Sequence, residues 1–241
     1  GGVYARYGSF SSADDDYTGN HAQRHVGGLY VRDADVTLTR ADVLDNRADA
    51  DVGGATFIRC TAGLTDSVFS GNQAAGAIGG LDSQTTTAVV ENAWIESNTG
   101  AWAGGMAIRS YAHANVNSSR IVGNVADTGN GGGARVNHSL AYFDRNYIAD
   151  NTAKSGTGGG IYMDYCSPML RNNVIANNYA PQDGTQLASH SGAPWIIHNV
   201  LYVNDPTVPS EFALYRNYWS KPLLVGCILW QDGPSFHVDN N

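Results

Sequence analysis

The sequence predicts an all-β solenoid: a parallel β-helix of about nine coils of roughly 26 residues, with three short strands per coil. Three observations carry the prediction. A Gly-Gly pair begins at Gly1, Gly27, Gly53, Gly79, Gly104, Gly132 and Gly159, and Gly184-Thr185 continues the series, with spacings of 26, 26, 26, 25, 28, 27 and 25 residues. An asparagine recurs at Asn20, Asn46, Asn72, Asn98, Asn124, Asn151, Asn178 and Asn204, every 26 or 27 residues. Between these markers apolar residues stand at i and i+2 with no sustained 3.6-residue period, which selects strands burying one face and rejects helical repeats.

The first strand of each coil follows the Gly-Gly pair, with Leu29 and Val31, Ala55 and Phe57, or Met106 and Ile108 pointing inward. The second carries Val36 and Leu38, Ala88 and Val90, or Ala141 and Phe143. Pro168, Pro194 and Pro222 open this strand in later coils, where a missing N–H harms the ladder least. The third holds Val43, Phe69, Ile95, Ile121, Ile148, Ile175 and Leu201, each three residues before its asparagine. The step of three from Leu38 to Ala41 changes the parity of the alternation and requires a bend. Gly-Gly is expected to supply a sharp corner through positive φ. Coils stacked at roughly 4.8 Å would pair each strand with its equivalents above and below.

One domain is expected over residues 1–241. Residues 1–26 form an irregular first coil, because Ser12 replaces the aliphatic residue and Asp14-Asp15-Asp16 follows. Residues 205–221 form a longer loop before the last coil. Leu224, Cys227 and Leu229 keep the apolar columns going, so a fragment of a longer protein or a stacking unit is expected.

Lys plus Arg number 14 against 22 Asp plus Glu, a net charge of −8, with lysine only at 154 and 221. A nucleic-acid partner is therefore not expected. The longest apolar run, Pro222 to Trp230, is too short to span a bilayer, so no membrane insertion by this chain is expected. Cys60 and Cys166 hold equivalent positions four coils apart, about 19 Å by stacking, so the cysteines should be free.

The Phe69-Ser70-Gly71-Asn72 segment followed by Gly76-Ala77-Ile78-Gly79-Gly80 resembles the Phe-x-x-Asn and Gly-Gly-Ala-Ile repeats of bacterial polymorphic outer-membrane proteins and related autotransporter-type adhesins. Gly158-Gly159-Gly160-Ile161-Tyr162 and the Ile-x-x-Asn segments ending at Asn98, Asn124 and Asn178 are similar. The resemblance implies a right-handed parallel β-helix and a secreted or cell-surface bacterial product.

Candidate functional residues follow from the columns. Asn46, Asn72, Asn98, Asn124, Asn151 and Asn178 read as a structural amide ladder, hydrogen-bonded coil to coil and placed at αL turns. Asp16 and Asp42 share an outward column on adjacent coils and are the candidate pair for a Ca²⁺ site; a solvated acidic edge is the simpler reading. His138, Tyr165 and His190 occupy one column, with Asp164 and Arg135 beside them. They form the alternative catalytic set, suited to a polysaccharide lyase that neutralises a carboxylate and abstracts its α-proton. The acidic scaffold argues against a polyuronate substrate. Beside the third strand, Tyr147, Val174, Val200, Tyr202, Ile228 and Trp230 make an outward apolar contact stripe, to be covered by residues 205–221 (Phe212, Tyr215, Tyr218, Trp219) or by another chain.

The leading functional reading is a non-catalytic, extracellular structural or adhesive module that self-associates or continues into further coils, with no cofactor. A carbohydrate-active enzyme and a glycan-binding module are the alternatives.

Overall fold

The structure, a computed structural model, describes residues 2–182, 184–204, 214–231 and 238–240. Among these every regular element is a strand, and strands pair in parallel with their equivalents one coil away. They form three sheets of 17, nine and six strands. No helix is long and apolar enough to cross a membrane.

The large sheet contains both the first and the second strands of each coil. They are continuous in Val3–Ala13 and Leu29–Thr39 and separate afterwards, as in Ala55–Ile58 and Thr61–Thr65. The third strands, from Asp16–Thr18 to Ile228–Gln231, make the nine-stranded sheet, one strand per coil. The six-stranded sheet is a fourth segment just after the asparagine: His21–Ala22, Arg47–Ala48, Gln73–Ala74, Thr99–Gly100, Val125–Ala126 and Thr152–Ala153. Its only sequence signal is a small residue two places beyond each asparagine.

The inward columns close into one core. Val43, Phe69, Ile95, Ile121, Ile148, Ile175 and Leu201 stack in register and are fully buried. Side chains lying directly on their equivalents gain dense packing along the rod. At the ends the same columns are only partly buried, at Val3, Ala5, Phe10 and Tyr17 and at Leu224, Cys227 and Leu229.

Left-handed residues make the corners, singly except at Tyr7-Gly8 and Ser110-Tyr111. Arg40, Asp66, Asn92, Ser118, Arg145, Asn172 and His198 all have φ near +50° and carry the parity change between second and third strands. A further column, Asp45, Gly71, Ser97, Gly123, Asp150 and Asn177, turns the chain just before each ladder asparagine. The Gly-Gly pairs, expected to provide positive φ, are absent from these corners. Close approach explains them: a Cβ on Gly28 would stand 2.7 Å from the Gly54 carbonyl oxygen and 2.9 Å from Asn46 Nδ2, and one on Gly27 would stand 2.7 Å from the Arg47 carbonyl oxygen. Glycine and asparagine are the two sides of one contact, which is why both markers keep the same period.

The ladder itself is fully buried. Asn72 donates from its backbone N–H and its Nδ2 to Asn98 Oδ1, both at 3.0 Å, and also from Nδ2 to the Phe69-column carbonyl of Val43 at 2.8 Å. The αL strain expected on these asparagines falls instead on the residue before them. A second amide ladder, Asn146, Asn173 and Asn199, runs beside the third strands. The main ladder ends on Gln186: Asn178 Nδ2 donates to Gln186 Oε1 at 2.7 Å, while Asn204 is exposed. Gly160 N donates to Thr185 O, so Thr185-Gln186, and not Gly184-Thr185, holds the marker position in this coil.

Two expectations about irregular regions change. The first coil pairs in register from Val3↔Leu29 to Ala13↔Thr39, and Ser12 is satisfied by hydrogen bonds with Asp15 and Tyr17. Of the expected 205–221 loop, residues 205–213 lie outside the described residues, while Tyr215–Tyr218 is a strand paired with Leu187–His190. Tyr215 is an inward core residue. Pro168, Pro194 and Pro222 immediately precede shortened second strands; the Pro168 carbonyl still accepts from Trp195 N at 2.9 Å. Cys60, Cys166 and Cys227 are free thiols.

Candidate functional site

The outward positions of the first strands carry a polar row. Here Arg135 stands opposite Tyr162, Asn137 opposite Asp164, and Asp164 opposite His190. The Asp164 carboxylate accepts from Asn137 Nδ2 at 2.8 Å and lies 2.9 Å from His190 Nδ1. Arg135 approaches it at 3.7 Å, an ion-pair distance too long for a hydrogen bond. Burial pushes the neighbouring Tyr162 phenol up to about 12, so it stays neutral at physiological pH.

His138, Tyr165 and His190 do meet, in a register one step different from that expected. His138 and Tyr165 are left-handed corner residues, with φ of 46° and 49°; the corner residue of the next coil is Ser191. His190 belongs to the adjoining strand row and pairs with Asp164, because the marker of its coil lies at Thr185-Gln186. The rings still touch. His138 stacks on Tyr165 at 5.0 Å between centroids, Tyr165 meets His190 edge-on at 4.9 Å, and His190 contacts Trp219 at 5.3 Å. The arrangement can orient an imidazole through its Nδ1 and leave a phenol exposed beside it, the outline of an acid–base pair. Its carboxylate is already committed to Asn137 and His190.

At the corners and along this face charges are paired across coils. Arg59 grips Asp33 at 2.6 and 2.8 Å, Arg40 grips Asp14 at 2.6 and 2.7 Å, and Arg109 grips the fully buried Asp82 at 2.8 and 2.9 Å. The Arg109–Asp82 pair carries no sequence signature beyond a 27-residue separation. Arg109, though not Asp82, lines a cavity of about 90 Å³ with Ile78, Trp102, Ala107, Ser110, Arg135 and Asn137. A larger hollow of about 510 Å³ lies at the first coil among Tyr4, Tyr30, His25 and Arg32.

Asp16 and Asp42 pair in register on the nine-stranded sheet. Among the described residues no group of three or more His, Cys, Asp or Glu is placed to hold a metal. Two carboxylates supply few of the six to eight oxygens that Ca²⁺ takes.

The contact stripe divides into two rows. Tyr147, Val174, Val200 and Ile228 stack in one; Tyr202 and Trp230 continue the other above the buried Ala149 and Ala176. Ile228 and Trp230 are exposed, the other four half-buried. The cover proposed for it does not come from Tyr215, Tyr218 or Trp219, which belong to the large sheet and its corner; Phe212 lies outside the described residues. A second apolar row has no marker in the sequence: Val89, Tyr142, Trp195 and Leu223 are exposed on the second strands of the large sheet.

A family model described as right handed beta helix region matches residues 11–241, and the chain belongs to that family. No curated protein matches the chain.

Proposed function

We propose that this right-handed β-helix is a non-catalytic extracellular module, a stiff structural and adhesive rod that presents contact surfaces and joins further coils, of its own chain or of a second copy. The observation that carries the reading is the use of its outward charges. Asp14, Asp33, Asp82 and Asp144 are each held in a two-point grip by an arginine one coil away, and Asp164 is held by Asn137 and His190. Such pairs fasten coil to coil and, among the described residues, occupy the carboxylates of the polar row. The exposed apolar rows and the half-buried columns at both ends supply surface for contacts.

The lyase reading has one favourable observation, the contiguous His138–Tyr165–His190 rings beside Asp164. An ultraviolet assay for unsaturated products from acidic polysaccharides separates the two. We expect no product. Turnover that disappears in Tyr165→Phe or His190→Ala would replace the structural reading with the enzymatic one. Light scattering tests assembly: a mass that stays monomeric at high concentration removes self-association.

A further inference from the structure

We propose that the cavity between Arg109 and Arg135 is a recognition site for the carboxylate of an acidic sugar, whose ring rests on Trp102. The two arginines come from successive coils and diverge. Arg109 reaches back one coil to Asp82 through Nε and Nη2, while Arg135 leans forward towards Asp164. Between them lies the hollow of about 90 Å³. That is roughly the volume of three waters, enough for a carboxylate and too small for a whole sugar ring.

The donors facing it are under-used. The Arg135 guanidinium makes no hydrogen bond among the described residues; its contacts are the ion pair at 3.7 Å and the Tyr162 ring at 5.5 Å. Arg109 keeps Nη1 uncommitted, and the Ser110 hydroxyl has no partner among the described residues. A guanidinium fork that is only one-quarter exposed and lacks an acceptor is suited to a planar carboxylate.

The aromatic platform follows from chain length. Gly79 to Gly104 spans 25 residues, and the shortening falls between the paired Ala74↔Gly100 and the bridged Ile78↔Ala103, where two residues replace three. Trp102 sits in that shortened link, half exposed at the cavity mouth. The missing residue returns at the next corner, where Ser110 and Tyr111 are both left-handed. An exposed indole beside hydrogen-bond donors offers an apolar face to a sugar ring.

Asp82, Asp164 and the more distant Asp51, itself bonded to His25, offset the arginines' charge. Recognition therefore rests on short-range hydrogen bonds, and we expect weak binding, Kd on the order of 1 mM. This inference rests on the non-catalytic reading only in expecting the ligand to be released unchanged.

The test is titration of the full chain with trigalacturonate, its carboxyl-reduced neutral counterpart and inorganic sulfate, followed by tryptophan fluorescence and calorimetry. Trigalacturonate should bind and perturb the fluorescence, and the neutral trimer should bind at least about tenfold more weakly. Arg135→Gln should lose about tenfold or more, Arg135→Lys should recover only part, and Trp102→Ala should abolish the spectral change. Arg145→Gln, which removes one positive charge away from the cavity, should bind as the parent does. Equal binding of the neutral trimer, no binding of trigalacturonate, or equal loss in Arg145→Gln overturns the proposal. So does sulfate binding as tightly as trigalacturonate with no effect of Trp102→Ala, which would mark a bare anion site. Thermal unfolding of each variant separates misfolding from loss of contact. Unsaturated product in the same samples would refute the non-catalytic reading while leaving the site standing; absent binding without product would do the reverse.

Discussion

Replacing Asn98 by alanine removes the centre of the amide ladder, and the cost can be worked from its bonds. Its Oδ1 accepts from the backbone N–H and from Nδ2 of Asn72, both at 3.0 Å. Its Nδ2 donates to the Phe69 carbonyl at 2.8 Å and to Asn124 Oδ1 at 3.0 Å. Truncation strands the Asn72 N–H and takes a donor from the Phe69 carbonyl, both in the dry interior. Asn72 Nδ2 keeps Val43, and Asn124 Oδ1 keeps the Asn98 N–H. At about 1–3 kcal/mol for each orphaned buried group, the loss is about 2–6 kcal/mol. A domain stable by about 5–15 kcal/mol would lose a large part of its margin. Asn20→Ala is the internal comparison. Asn20 is half-buried and donates to Asn46 Oδ1 without accepting from an earlier coil, and its backbone N–H keeps that bond after truncation. Its loss should cost about 0.5–1.5 kcal/mol. Urea unfolding followed by far-ultraviolet circular dichroism measures both. Equal and small effects at the two positions would refute the argument that burial of the ladder makes its bonds matter.

Three further outcomes are expected. Ser83 sits between Phe57 and Ile108 in an inward column, and its hydroxyl has no partner among the described residues, so Ser83→Ala should be neutral or stabilise by about 1 kcal/mol in the same urea assay; clear destabilisation would show an unrecognised bond. Hydrogen bonds hold Asp14 (from Arg40), Asp33 (Arg59), Asp49 (His21) and Asp144 (Arg171) below the ordinary carboxylate range. The unfolded chain therefore protonates first, and this stabilisation is complete above about pH 5 and lost as pH falls through about 4 towards the lowered native values. A thermal midpoint unchanged between pH 6 and pH 3 would contradict it. Burial pushes the Cys166 thiol up to about 12 and raises that of Cys60, while Cys227 is half exposed. A thiol reagent at pH 8 should label Cys227 in the native protein and the other two only after unfolding, and prompt labelling of all three would show that the coils open readily.

What the sequence disclosed was whatever repeats. The buried aliphatic columns and the asparagines recur because each must match its neighbour one coil away, and periodicity exposes that constraint directly. What it hid was whatever satisfies the constraint once, by different chemistry. Gln186 does the work of a ladder asparagine from the opposite side of the contact, which leaves Gly184 and Asn204 outside the series and sets His190 one step away from the row of Tyr165. Gly-Gly was legible as a marker, but the reason for it was not, since glycine serves positive φ and close approach alike and only distances tell them apart. Arg109 and Asp82 meet through stacking alone, and neither stands in a column that repeats its residue type from coil to coil. The exposed row from Val89 to Leu223 has no sequence signal of its own, because alternation marks which residues face outward without saying which of those the fold leaves bare.

The Gly–Asn contact also makes the rod's length independent of its local energetics. From Gly2 with Asn20 to Gly160 with Asn178 each lap meets the next through the same clasp, so duplicating or deleting one whole lap within that span leaves every remaining clasp intact. A change of one residue is tolerated only in the spans between clasps. The chain already contains such spans: the 28-residue lap from Gly104 to Gly132 carries its surplus around Ser110 and in the Asp127–Gly131 link, while the strands on either side keep step. Reach could thus be altered by whole laps, and local ornament by single residues.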